Sequence, residues 1–145
     1  MAADEAVRQA AEEVGAHAAL NADRTSEQID SLRIGLATLP PGLSAAVVLP
    51  VDHPLVASAT VAALIETHRS RAGAVARPVH DGRPGHPTLF PRGVWPALLD
   101  RSLARGARSL VEAPDTQTVD VSVDDPGILA DIDTPDDYRR YAGGT

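Results

Sequence analysis

Near the start of the chain, apolar residues recur at helical spacing. Val7, Ala10, Ala11 and Val14 fall on one face, with Asp4, Glu5, Arg8, Glu12 and Glu13 on the other. This pattern predicts an amphipathic helix, ended by Gly15. His17-Ala18-Ala19-Leu20 suggests a weak strand and Asn21-Ala22-Asp23-Arg24 a turn. A second helix carries Ile29, Leu32, Ile34, Leu36 and Leu39, with Ser26 placed to cap it and Pro40-Pro41-Gly42 to stop it. The pattern then changes. Ala45 to Val51 is a continuous apolar run, which predicts an interior strand of a parallel sheet, buried on both faces.

A long helix is expected from roughly Val56 to Arg71, with Val61, Leu64 and Ile65 inward, followed by a strand over Ala74 to Val79. Asp81 to Pro91 is rich in Gly and Pro and is expected to be loop, with Thr88-Leu89-Phe90 extended. Two short helices, near Val94–Leu99 and Leu103–Glu112, precede the alternation of Val119, Val121 and Val123, which marks a half-buried strand. Thr134 caps the last helix: Pro135 suits its first position and Asp137 completes a T-x-x-D box. Strands alternating with helices over short connections imply an α/β layered fold with a doubly wound, mostly parallel sheet. No repeat or linker interrupts the pattern, so residues 1–142 are expected to form one domain and 143–145 a frayed tail.

A length of 145 residues supports one respectable core. Aromatics make up only 3%, so that core rests on Ala, Val, Leu and Ile. The net charge of −7 disfavours nucleic-acid polymers and anionic membranes as partners, though not a nucleotide held locally by a metal and a few arginines. All 13 basic residues are Arg, a usage that fits codon bias and leaves no lysine for chemistry. Zero Cys removes thiolate sites and disulfides. No apolar run approaches the ~18 residues of a membrane span, and the acidic start is unlike a secretory signal. The expected location is therefore cytoplasmic.

Candidate chemistry gathers where strand-like runs stop. Asp52, in Leu49-Pro50-Val51-Asp52-His53-Pro54, follows one such run; Asp131 and Asp133, in Asp131-Ile132-Asp133-Thr134-Pro135, follow another. In open α/β sheets that edge is where ligands bind. Carboxylates brought together there suit a hard divalent cation, which grips a triphosphate in turn. The alternative for Asp52 is a strand-end residue that solvates its turn. Asp136 and Asp137 are accounted for by a helix start. Asp131 and Asp133 are not, because alternation in a strand puts both on one face. His86, between Gly85 and Pro87, is either a site residue or a surface loop histidine. Arg105 and Arg108 either bind phosphate or are solvated helix arginines. The histidine spacing supports no helical zinc motif, and no G-x-S-x-G nucleophile elbow occurs.

Taken in order, Asn21, Ser31-Leu32-Arg33-Ile34-Gly35-Leu36, Asp52-His53-Pro54-Leu55-Val56, Gly85-His86-Pro87-Thr88-Leu89-Phe90, Gly106-Ala107-Arg108 and Asp131-Ile132-Asp133-Thr134-Pro135-Asp136-Asp137-Tyr138 resemble the C-terminal two-thirds of the MobA-like nucleotidyltransferase family. The nearest branch looks like the molybdenum cofactor cytidylyltransferases. The resemblance implies a Rossmann-like nucleotidyltransferase fold, N-terminally truncated. It also implies transfer of a nucleoside monophosphate from a triphosphate, CTP favoured, to a phosphorylated acceptor such as molybdopterin, with Mg²⁺ bound and pyrophosphate released. Guanylyl or other nucleotidyl specificity is the near alternative. By this resemblance Asp52 and Asp133 are the catalytic, metal-holding pair, with Asp131 as a further metal ligand. Asn21, Ser31 and Leu32 bind the nucleotide, while Gly85, His86 and Arg108 bind the acceptor. The family's glycine-rich phosphate loop with its lysine is missing from these 145 residues. The chain alone is thus expected to be weak or inactive, completed by a separate N-terminal segment or a homo-oligomer. A non-catalytic interaction domain is the reading from another class.

Overall fold

The computed structural model describes residues 5–21, 23, 25, 27–100, 103 and 106–142. They divide into two compact units, Met1–Leu43 with Val94–Ala113, and Ser44–Gly93 with Pro114–Thr145. The expected tail at 143–145, the proposed cap Ser26 and Arg105 lie outside the described residues.

In the first unit, helix α1 covers Glu5–Glu13 and α2 covers Gln28–Thr38. The α2 helix begins at Glu27, whose N–H is taken by the Asp30 carboxylate at 3.2 Å. Ile29 and Leu36 are its buried residues, one face of the expected periodicity. The short helices α4, Trp95–Leu99, and α5, Ala107–Val111, complete this unit, with Trp95 and Leu98 buried. Arg33 ties α2 to the end of α4, its guanidinium donating to the Leu98 and Asp100 carbonyls at 3.1 and 2.5 Å. The weak strand expected at residues 17–20 is reduced to an isolated bridge at Leu20.

The second unit holds a five-stranded sheet. Its strands are β1 (Ala45–Val48), β2 (Val75–His80), β3 (Arg83–Pro84), β4 (Thr88–Pro91) and β5 (Thr118–Ser122). β2 is the hub. It runs parallel to β5 from Val75↔Thr118 to Val79↔Ser122. On its other side it pairs antiparallel with β4 at Ala76↔Leu89 and with β3 at Val79↔Pro84. β4 in turn pairs antiparallel with β1. So β1, β2 and β5 share one direction, and the mixed sheet belongs to an α/β architecture. Helix α3, Ser58–Ser70, crosses over between β1 and β2. Its Leu64 meets Ala76 and Leu89 in the core, with Ala45, Val47 and Val121 packed around them. No helix among the described residues is long and apolar enough to cross a membrane.

Three expectations need correction. Ala45–Val51 is not an interior strand. Only Ala45–Val48 is extended, all four residues are half-buried, and the one described neighbour, β4, runs antiparallel. Leu49 and Val51 are 45% and 94% exposed, so apolar character continues past the strand without burial. Residues 81–91 are not simply loop. Asp81 and Gly82 both have positive φ, 49° and 74°, and form the two-residue turn of a β2–β3 hairpin. Finally, Asp131 and Asp133 do not alternate in a strand. Their segment is irregular, confined between a 3₁₀ turn at Pro126–Leu129 and helix α6 at Pro135–Ala142.

Candidate active site

Pro50 and Pro54 lack the N–H a strand needs, so the chain leaving β1 turns. The His53 N–H closes that turn on the Pro50 carbonyl at 3.2 Å. Asp52 is carried on it, at the end where β1, β2 and β5 all point. Its Oδ1 lies 3.0 Å from His53 Nδ1. That hydrogen bond, above all, holds the Asp52 carboxyl below the usual carboxylate range; partial burial acts against it, and the fields of His53 and His86 add to it. Asp52 is therefore an ionised, acceptor-only group with its side chain 35% exposed.

His53 also meets His86, ring edge to ring face, with centroids 4.6 Å apart. His86 follows Gly85 in the Gly85-His86-Pro87 segment, where the His86–Pro87 peptide is cis. Its Nδ1 is buried without a partner among the described residues. Burial first, then His53, pushes the His86 pKa down, while Asp52 pulls it the other way. The His86 N–H donates to the Ile128 carbonyl at 3.0 Å. Gly85 is required at its position, since a Cβ there would lie 2.2 Å from that same carbonyl oxygen.

The two acidic segments do come together. The Ile132 N–H donates to the Asp52 carbonyl at 2.8 Å, which sets the Asp131–Asp133 coil beside the Asp52 turn. Asp131 and Asp133 are both exposed. Thr134 and Asp137 form the expected capping box, with Asp137 N–H to Thr134 Oγ1 at 3.1 Å and Thr134 N–H to Asp137 Oδ2 at 3.0 Å.

One important residue escaped the sequence reading. Asp125 is only 7% exposed and accepts from the Ala57 N–H at 2.9 Å, the Thr60 hydroxyl at 2.6 Å and the Gly127 N–H at 2.9 Å. Asp before Pro-Gly was the available signal, because such an Asp hydrogen-bonds its own turn and Pro suits the next position. The Pro126–Leu129 turn it begins walls a groove of about 370 Å³, whose other side includes His80, Asp81 and Arg83.

The remaining predicted residues lie in the first unit. Asn21 Nδ2 approaches Ser31 Oγ at 3.4 Å, with Leu32 half-buried next to it in α2. Arg108, on α5, is highly exposed and bonds Glu112 through its Nε at 2.7 Å.

As a metal centre, Asp52, Asp131 and Asp133 offer only carboxylate oxygens, the donors a hard cation takes. No group of three or more acidic or histidine side chains is already gathered among the described residues.

The MobA-like NTP transferase domain matches residues 1–120. The chain belongs to this family. Among solved structures, the MobA-like fold seen here is similar to that of Rv0371c from Mycobacterium tuberculosis H37Rv, with 30% identity and a TM-score of 0.63. That match covers 78% of this chain and 58% of the other, so this MobA-like chain spans little more than half of that relative. The Rv0371c homologue from Mycobacterium sp. strain JC1 is 26% identical, with a TM-score of 0.70, over 92% of this chain and 70% of that one. A structure of Rv0371c in complex with manganese is 30% identical, with a TM-score of 0.65, over 94% and 74%. No functionally curated protein matches.

Proposed function

We propose that this domain serves nucleotidyl transfer, moving a nucleoside monophosphate from a triphosphate, CTP in the first instance, to a phosphorylated small-molecule acceptor such as molybdopterin. The observation that carries the reading is the 2.8 Å hydrogen bond from Ile132 N–H to the Asp52 carbonyl, which sets both acidic segments at one sheet edge of a MobA-like fold. In the reaction an acceptor phosphate oxygen attacks the α-phosphorus. A new P–O bond forms as the bond to the β-phosphate oxygen breaks, and pyrophosphate leaves. Asp52, with Asp133 and Asp131, would hold a divalent cation, Mg²⁺ by preference; the manganese complex of Rv0371c supports a divalent ion in this fold. Such an ion supplies charge neutralisation on the triphosphate.

The protein's own part is positioning, which dominates phosphoryl-type transfer. His53 fixes the rotamer of Asp52 through the 3.0 Å contact. In the second unit Gly85 and His86 would meet the acceptor; the family resemblance assigns Asn21, Ser31 and Leu32 to the nucleotide and Arg108 to the acceptor as well. The groove lined by His80, Asp81 and Arg83 offers room for a small acceptor, with Arg83 as the cation for its phosphate beside the Asp81 carboxylate. These 145 residues contain no glycine-rich phosphate loop and no lysine. Turnover by these 145 residues without such a loop should therefore be weak. The same deficit favours a non-catalytic interaction domain as the second reading, and guanylyl transfer is the close variant.

The test is pyrophosphate release from CTP, GTP or ATP with Mg²⁺ or Mn²⁺ and molybdopterin, with and without an added glycine-rich segment. Asp52→Asn should cut Mg²⁺-dependent release by about 100-fold or more, since a metal ligand is lost. Undiminished release by this variant would show that Asp52 is structural. No release under any condition would favour the interaction domain.

A further inference from the structure

Three loops of the second unit meet around one buried carboxylate. Asp125 Oδ2 takes the Ala57 N–H and the Thr60 hydroxyl, at 2.9 and 2.6 Å, and so caps the first turn of α3. The helix has no cap of its own, because Ala57 stands at its N-cap position. A local Ser, Thr or Asp would serve capping alone. Here the acceptor comes from 68 residues away, and its other oxygen is already engaged. Oδ1 takes the Gly127 N–H at 2.9 Å and holds the Pro126–Leu129 turn. That turn offers the Ile128 carbonyl to the His86 N–H at 3.0 Å, and four residues further on the Ile132 N–H reaches the Asp52 carbonyl at 2.8 Å. The approach is close throughout: a Cβ on Gly127 would lie 2.2 Å from the Leu55 carbonyl oxygen.

We propose that Asp125 is a positioning residue of the nucleotidyl-transfer site: by clamping the start of α3 to the Pro126–Leu129 turn, it fixes the register between the Asp52 turn and the Asp131–Asp133 coil. The assignment rests on the reading of that edge as a transfer site. Asp125 touches neither substrate nor metal in this scheme and acts only through the loops it joins. An amide cannot replace it. If the side chain introduced by Asp125→Asn turned its oxygen to Ala57 and Thr60, its NH₂ would face the Gly127 N–H; turned the other way, the NH₂ would face the Ala57 N–H. Either orientation sets donor against donor and frees one of the two loops.

The experiment compares Asp125→Asn, Thr60→Val and, as a control, Asp124→Asn at an exposed neighbour. The first readout is amide hydrogen exchange without metal. In Asp125→Asn the Ile132 and His86 amides should exchange at least ~10-fold faster, while Val75, bonded to Gln117 in the sheet, keeps its wild-type rate. The second is the Mn²⁺ concentration that half-saturates CTP binding, expected to rise roughly 10-fold, as when a partner supporting a metal ligand is removed. Thr60→Val should move both readouts the same way by less, and carries the test if Asp125→Asn does not fold. Asp124→Asn should move neither. Wild-type protection of Ile132 and His86 in a folded variant overturns the clamp. Faster exchange with an unmoved Mn²⁺ midpoint reduces Asp125 to a helix cap and overturns the positioning role. Absence of Mn²⁺-dependent CTP binding by the wild type sinks the transfer reading itself, and the exchange data then decide the clamp on their own.

Discussion

At Asp125, burial acts to raise the carboxyl's pKa. The hydrogen bonds from Thr60, Ala57 and Gly127, helped by the field of His80, outweigh it and hold the group below its ordinary value. A carboxyl with a depressed folded pKa stabilises the fold fully above its unfolded pKa of about 3.9 and loses that contribution as pH falls through the folded value. Asp125→Asn should therefore destabilise the protein by about 1–3 kcal/mol at pH 7, the usual cost of leaving buried donors unsatisfied. The difference from wild type should begin to shrink below about pH 4, where the unfolded carboxyl takes up a proton, and should vanish once pH falls below the lower folded value and the native carboxyl protonates too. Urea midpoints at pH 7, 5 and 3.5 check this, and a difference that stays flat across the range would count against an ionised Asp125. At this scale the sequence was partly legible. Asp52 was singled out because it follows a strand-like run, and its place on the turn after β1 agrees with that local signal; the Thr134–Asp137 box was legible because both of its members are local. Asp125 was missed because two of its three donors, Ala57 and Thr60, are distant in sequence, and only the fold brings them in.

Helices announced themselves better than strands. α2, α3 and α6 fall close to where periodicity, proline and capping residues put them, since those signals act within a few residues. The strands depended on partners that no local pattern names. The run at Ala45–Val48 carried the composition of an interior strand, yet its one described partner is β4, from a stretch with too much Gly and Pro to be read as sheet. The Asp81-Gly82 pair was a hairpin signal passed over for the same reason. What joins these elements is α3, whose Leu64 is fully buried against Ala76 and Leu89. Leu64→Ala should cost about 2–5 kcal/mol, the range for removing a buried leucine side chain and leaving a cavity. Chemical denaturation monitored by circular dichroism measures it. A loss under about 1 kcal/mol would mean the site relaxes freely, contrary to close-packed interiors.

For the whole molecule, charge sets the terms on which a triphosphate can approach. The chain carries −7, and the proposed site adds Asp52, Asp131 and Asp133 at the point of contact. Without a cation, a nucleotide polyanion meets repulsion there, and no lysine offsets it. Two consequences can be measured by calorimetric titration of CTP, GTP and ATP. In chelator, binding should be undetectable at low ionic strength, where the screening length is about 30 Å, and should not weaken when salt shortens that length to about 8 Å. A site built on basic residues would show the opposite salt dependence. With Mn²⁺ or Mg²⁺ present, binding should appear, because a cation held by Asp52, Asp131 and Asp133 would offset their repulsion of the phosphates. It should remain weaker than micromolar for the chain alone, that is, weaker than about −8 kcal/mol, since oriented backbone donors of a glycine-rich loop are lacking. Micromolar binding in chelator would mean that the nucleotide is gripped by arginines and backbone rather than through the acidic edge. Asp52 and Asp133 would then lose their place at the centre of the mechanism, whatever the family fold implies.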